Sequence, residues 1–359
     1  MSKRQSSRLL VASQRTGLAE DPNEKDAPGR RMRALPTETG RSALSPYLKR
    51  YEAPSCIGLK INAYRDYEVA ALAEAIRTPD LEDSPIECVM VGDSYFMTHL
   101  GRSTTAMEGD QEREWALTTL VGLVGEVRKT LDTEFPRNRR PFLMADLPDG
   151  ATSDAATARA AAAAFAGAGA DGVKIEIAAE RELRCVEEVA GSGLPTLAHL
   201  GYAPQRGALA RHGDTVRSAL SLFAQARRAR DSGACGLIVE MTSEVANRAL
   251  SRPHRHGLPV YSIFSGRARW GGQSLNVWDA VIRPARKSRY FPPTAAIDAS
   301  QAPTAYTPEL IADRMRELLR LTLAGRFPPT PRTALGAHEV AKIAETDPWL
   351  TGSPRPDGR

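Results

Sequence analysis

From residue 56 onward the chain alternates short apolar runs with longer segments whose apolar residues recur every three or four positions. The runs at 57–63, 87–91, 142–145, 172–175, 196–198, 236–239 and 260–263 have strand length, and most are rich in Val, Ile or Leu. Between them, 66–76 carries Val69, Leu72, Ala73 and Ile76 at helical spacing. The segment 153–168 opens with Ser153 and Asp154 as caps, runs through alanines and stops at Gly169. Further helices fit 111–131, 180–190, 215–232 and 243–250.

Strand and helix therefore alternate about seven times, which leaves a doubly wound open sheet or a closed barrel. No GxGxxG follows the first strand and no GxxxxGK[ST] occurs anywhere, so the nucleotide-binding open sheet loses its usual support. With an eighth strand placed around Val281, the pattern predicts a (β/α)8 TIM barrel over 51–295. After it come an amphipathic helix at 308–324 and a shorter one at 338–345, a C-terminal helical extension over 296–359. Residues 1–50 mix charge with Ser, Gly and Pro and show no apolar period, the signature of a disordered tail.

Charge sharpens that division. The chain has 48 Lys+Arg against 43 Asp+Glu, but residues 1–50 alone hold 11 basic and 5 acidic residues. The remainder is near neutral, so the barrel has no basic excess for a phosphate backbone and nucleic acid is excluded as a partner. No run approaches the roughly 18 apolar residues of a membrane span. The first 18 residues carry Lys3, Arg4, Arg8 and Arg15 without acids or an apolar core, which argues against a secretory signal. The expectation is a cytoplasmic protein, with mitochondrial targeting by the basic tail as the alternative. Cys56, Cys88, Cys185 and Cys235 are far apart and form no CxxC, so neither a zinc site nor a disulfide framework is indicated.

A barrel of this kind carries its active site at the C-terminal ends of its strands. Those ends read Val91-Gly92-Asp93-Ser94, Ala145-Asp146, Lys174-Ile175-Glu176, Ala198-His199 and Val239-Glu240. Any one of these could be a helix cap or a hydrogen-bonded core residue. Together they bring four carboxylates to one mouth with one Lys and one His, an excess of negative charge that a divalent cation would neutralise. Oxygen ligands without cysteine suit Mg2+ before Mn2+ or Ca2+. Two or three of Asp93, Asp146 and Glu176 would suffice as metal ligands, which leaves Glu240 as a general base.

These motifs carry a resemblance. Asp93-Ser94 with Met97, Gly101 and Ser103-Thr104, then Asp146-Leu147-Pro148, Gly169-Ala170, Val173-Lys174-Ile175-Glu176, His199-Leu200-Gly201, Pro204-Gln205 and Glu240 resemble the ketopantoate hydroxymethyltransferases in that order. Asn62-Ala63-Tyr64 with Asp66-Tyr67, Gly257-Leu258-Pro259 and Gly272-Gln273 extend the match to about 57–290.

The resemblance implies a TIM barrel of the phosphoenolpyruvate/pyruvate type. It would transfer a hydroxymethyl group from 5,10-methylenetetrahydrofolate to the β-carbon of an α-keto acid, 3-methyl-2-oxobutanoate, through an enolate on Mg2+. Carried over, Asp93 and Asp146 are direct metal ligands and Glu176 the third acid. Ser94, Lys174 and His199 are substrate contacts, and Glu240 is the catalytic base. A homo-oligomer, often a decamer, is implied as well.

Departures fall in the pocket. Strand seven ends in Ser262-Ile263-Phe264-Ser265-Gly266 in place of a Gly-rich signature, and Tyr95-Phe96 follows Asp93-Ser94. The loop after Pro204-Gln205 is shortened, to Arg206-Gly207-Ala208 and then Arg211-His212-Gly213, and 78–85 is an insertion. Alternative readings are the same enolate chemistry on another α-keto acid, a lyase resembling phosphoenolpyruvate mutase and isocitrate lyase, or a non-catalytic barrel. The lyases bring a cysteine-bearing loop that no cysteine here matches, and a non-catalytic barrel would not need all four acids.

Overall fold

The computed structural model describes residues 58–81, 86–137, 139–206, 212–252, 254–266, 271–276, 307–324 and 335–350. Eight parallel strands close on themselves in chain order: β1 (Leu59–Asn62), β2 (Ile86–Val91), β3 (Phe142–Asp146), β4 (Gly172–Glu176), β5 (Thr196–Gly201), β6 (Gly236–Glu240), β7 (Val260–Ile263) and β8 (Gly272–Asn276). The helices are α1 (Asp66–Ala75), the single turn α2 (Tyr95–Thr98), α3 (Gly109–Glu134), α4 (Ala155–Gly167), α5 (Glu180–Gly191), α6 (Val216–Asp231), α7 (Glu244–Leu250), α8 (Pro308–Leu323) and α9 (Ala337–Glu345).

The strands are buried on both faces, which is why they read as continuous apolar runs. Their alternation still separates two layers of core. Cys88, Met90, Phe142, Met144, Leu197, Ile238, Tyr261 and Ile263 fill the barrel interior. The intervening residues, among them Ile61, Val89, Leu143, Val173 and Val239, pack outward with the helices. Three strands run one residue further than their apolar pattern, so Asp146, Glu176 and Glu240 are the last strand residues of β3, β4 and β6.

The eighth strand corrects the sequence expectation. It is Gly272–Asn276, paired with β1 through Lys60↔Ser274 and with β7 through Ser262↔Gln273. A strand of Gly, Gln, Ser and Asn around one Leu lacks the apolar signal used to find the others, and Val281 lies outside the described residues. So do the basic tail, Cys56 and the 207–211 part of the shortened loop. The described cysteines, Cys88, Cys185 and Cys235, are all buried.

Both C-terminal helices lie on the barrel wall: α8 packs on α1, and α9 packs on α6 and α7. Arg320 pairs with Asp80 at 2.6 Å across the α8 contact. Beyond α9, Trp349 is buried and donates its indole Nε1 to Leu250 O at 3.2 Å. Among the described residues, no helix is long and apolar enough to cross a membrane.

Candidate active site

Residues of β1, β2, β4, β5, β6, β7 and β8 line a solvent-connected cavity in the barrel mouth. Asp93, Ser94, Lys174, Glu176, His199 and Glu240 all line it, which brings together six of the seven residues singled out in the sequence. The seventh, Asp146, stands behind the wall, its Oδ2 2.5 Å from Lys174 Nζ.

On the β2 side, the chain leaves the strand through Gly92 into the turn α2, and Tyr95 N and Phe96 N donate to Gly92 O and Asp93 O. That turn presents Asp93 and Ser94 side by side. Ser94 Oγ is 2.7 Å from Tyr64 Oη and accepts from Asn62 Nδ2 at 3.4 Å. Gln205, on the 3-10 turn Pro204–Arg206, ties the acids together. Its Nε2 donates to Asp93 Oδ2 at 2.8 Å and its backbone N to Glu176 Oε2 at 3.3 Å.

On the opposite side a chain of polar contacts runs through the imidazole. Lys174 Nζ is 3.3 Å from His199 Nδ1, Glu176 Oε1 is 3.7 Å from the same nitrogen, and Glu240 Oε2 is 3.2 Å from His199 Nε2. An ammonium can only donate, so when the ring is neutral Nδ1 accepts from Lys174 and Nε2–H faces Glu240. Gly201 makes the close approach of β5 and β6 possible. It has φ 94°, and a Cβ there would stand 2.2 Å from Glu240 O. Past Glu240, Met241 takes φ 54°, and Phe264 at the end of β7 takes φ 51°, both in the left-handed region.

Burial and charge set the electrostatics. Burial pushes the Asp146 carboxyl well up, with Asp93 and Glu176 adding to it against the pull of Lys174. Burial also raises Glu176, opposed by the neighbouring His199. For Lys174, burial works downward, but Asp146, Asp93 and Glu176 outweigh it and hold the ammonium above its ordinary value. For His199, burial and Lys174 work downward, and the adjacent Glu176 and Glu240 carboxylates leave it raised.

The three acids expected to hold a metal are not preassembled. Among the described residues, no three His, Cys, Asp or Glu side chains are grouped as a ligand set. The physical reason is that each has a protein partner: Gln205 on Asp93, Lys174 on Asp146, and His199 with Gln205 on Glu176. Their chemistry nonetheless fits a hard divalent ion. Three carboxylates face one ammonium, Asp146 Oδ1 is buried with no hydrogen-bond partner, and one or two carboxylates are what Mg2+ ordinarily takes from a protein.

Sequence reasoning missed Gln205 as a bridge between acids, and it missed Lys60. Lys60 is 1% exposed and lines the cavity floor beside Met90, Ile238 and Ile263. Its Nζ donates to Asn62 Oδ1 at 2.5 Å and to Met90 Sδ at 3.5 Å. Burial lowers its pKa from 10.5 to about 8. A lysine in the middle of an apolar strand was the available signal.

The family model described as ketopantoate hydroxymethyltransferase matches residues 63–307. The 3-methyl-2-oxobutanoate hydroxymethyltransferase of Cenarchaeum symbiosum (strain A) is 31% identical over 232 residues, 62% of this chain and 76% of the relative. That of Aeropyrum pernix is 29% identical over 243 residues, 66% and 76% of the two chains. Among solved structures, oxaloacetate acetylhydrolase in complex with 3,3-difluorooxalacetate is 13% identical at a TM-score of 0.47, covering 69% of this chain and 82% of its own. Phosphoenolpyruvate phosphomutase from Streptomyces platensis subsp. rosaceus is 12% identical at 0.43, covering 65% and 79%.

Proposed function

This chain belongs to the ketopantoate hydroxymethyltransferase family, and from that premise we propose that it transfers a hydroxymethyl group from 5,10-methylenetetrahydrofolate to the β-carbon of an α-keto acid. The observation that carries the reading is the line Lys174–His199–Glu240 along one cavity wall, with Asp93 and Ser94 opposite. It sets a carboxylate base across from groups suited to an anionic, oxygen-rich substrate.

Glu240 Oε2 takes the proton from the substrate β-carbon. His199 Nε2 fixes that carboxylate, and Lys174 fixes the imidazole tautomer. Negative charge then moves onto the substrate carbonyl oxygen, where Lys174 Nζ supplies a preorganised donor. Ser94 Oγ, held by Tyr64 and Asn62, hydrogen-bonds the α-carboxylate. Mg2+, held by Asp93 and Asp146 with Glu176 as the third acid, would supply Lewis-acid stabilisation of that oxygen. The β-carbon of the enolate bonds to the donor methylene carbon as one of its two carbon–nitrogen bonds breaks, water replaces the second nitrogen to leave the hydroxyl, and the two nitrogens of the released tetrahydrofolate take up the proton that Glu240 abstracted and one from the water. The substrate of the relatives, 3-methyl-2-oxobutanoate, is the first compound to test.

Proton–deuterium exchange at the β-carbon reports the first step without the folate. Glu240→Gln is expected to lower the exchange rate by about 10²–10⁴ while leaving Mg2+ binding intact by calorimetry. Asp146→Ala is expected to abolish Mg2+ binding. Full exchange activity in both variants would remove these residues from the mechanism.

A further inference from the structure

The cavity contains a second ammonium that the proposed reaction does not use. Lys60 points inward from β1, and its two acceptors, the Asn62 amide oxygen and the Met90 sulfur, are both neutral. The carboxylates whose charge it feels are Asp146 and Glu240. Both are engaged elsewhere, Asp146 with Lys174 at 2.5 Å and Glu240 with His199 at 3.2 Å. A buried ammonium without a counter-ion is unfavourable, and an apolar side chain would suit the neighbouring Met90, Ile238 and Ile263 better.

A second orphan lies beside it. Ser274 on β8 is the register partner of Lys60, lines the same cavity, and its Oγ is buried with no hydrogen-bond partner. An ammonium and a hydroxyl at one level of the barrel, both lacking an anion, form a recognition site for one. It lies on the β1–β8 side of the cavity, and the Asn62 amide stands between it and the Ser94 hydroxyl that takes the α-carboxylate in the proposed reaction, its Oδ1 accepting from Lys60 and its Nδ2 donating to Ser94 Oγ.

We propose that the preferred substrate is an α-keto acid whose side chain carries a second anionic group, a carboxylate in the simplest case, and that Lys60 with Ser274 binds that group. This rests on the transferase reading above and narrows its substrate class. Lys60 is here a specificity residue: it recognises the far end of the substrate and leaves proton abstraction to Glu240.

The test compares 2-oxoglutarate with 2-oxopentanoate, which differ by a terminal carboxylate in place of a methyl group. β-Proton exchange in deuterium oxide with Mg2+ is followed for the full chain and for Lys60→Met. The wild type is expected to favour the dianion at least tenfold in kcat/KM. Lys60→Met is expected to lose that preference through KM while exchange of the monoanion is kept, and Lys60→Arg to retain part of it. Lys60→Gln, which keeps reach toward Asn62 without the charge, covers a failure of the Met variant to fold. Exchange that is indifferent to the second carboxylate and to Lys60→Met overturns the proposal alone. No exchange with either acid or with 3-methyl-2-oxobutanoate overturns the transferase reading and this proposal with it.

Discussion

Lys60 makes a measurable demand on the folded state. Its ammonium is enclosed among Met90, Ile238 and Ile263 with Cys88, Lys174, Asp146 and Glu240 as its titratable neighbours. A pKa lowered from 10.5 to about 8 means that, below pH 8, folding carries a cost of about 3 kcal/mol that the unfolded chain does not. The unfolded state binds the extra proton between pH 8 and 10.5, so wild-type stability should rise with pH across that window. Lys60→Met is therefore expected to stabilise the protein by about 1–3 kcal/mol at pH 7, with the gap closing as pH climbs through 8 toward 10.5. Urea denaturation at pH 7 and pH 10 measures both ends. A variant less stable than wild type at pH 7 would assign Lys60 a structural role.

Gly201 shows how one backbone position serves a side chain two elements away. The strand ends β5 and β6 converge because Tyr202 N donates to Glu240 O at 3.0 Å, which requires the left-handed turn at Gly201. Gly201→Ala must either open that contact or move the Glu240 carbonyl, at a cost of about 2–3 kcal/mol. Loss of stability should be accompanied by loss of β-proton exchange, because Glu240 moves with its backbone. An Ala variant with unchanged thermal stability and exchange would show that the two strand ends are free to separate.

The legibility of the sequence follows the same physics. Seven strands were readable because they are buried on both sides, and the acids at their ends stood out as polar residues closing apolar runs. Gly272–Asn276 was not readable, since its Gln273 and Ser274 are buried polar residues and only Leu275 carries an apolar signal. The turn α2 was hidden by Tyr95 and Phe96, whose aromatic character reads as core and whose backbone closes a single helical turn. Gln205 had no periodicity to mark it, because its bridge between Asp93 and Glu176 exists only once β2, β4 and the turn after β5 are in place.

The C-terminal helices bear on the stability of the entire barrel. Trp349 is buried against Leu250 at the end of α7, the Arg230 guanidinium lies 5.9 Å from its ring centre, and Arg230 also donates to Trp349 O at 3.1 Å. Trp349→Ala is expected to cost about 3–5 kcal/mol, read as a lower urea midpoint, without altering kcat for exchange in the folded fraction. An unchanged midpoint would mean that the segment after α9 is only loosely attached.

The β1–β8 seam also dictates an order of events during synthesis. The strand bearing Lys60 is the first of the barrel to emerge from the ribosome, while its neighbour β8 is made more than two hundred residues later. Closing so long a loop is the slow, high-contact-order step of assembly. Until it occurs, the Lys60 ammonium faces water and the chamber has no floor on that side. A nascent chain stalled before residue 272 should therefore expose Cys88, the register partner of Lys60 on β2, to thiol reagents from which the finished protein shields it.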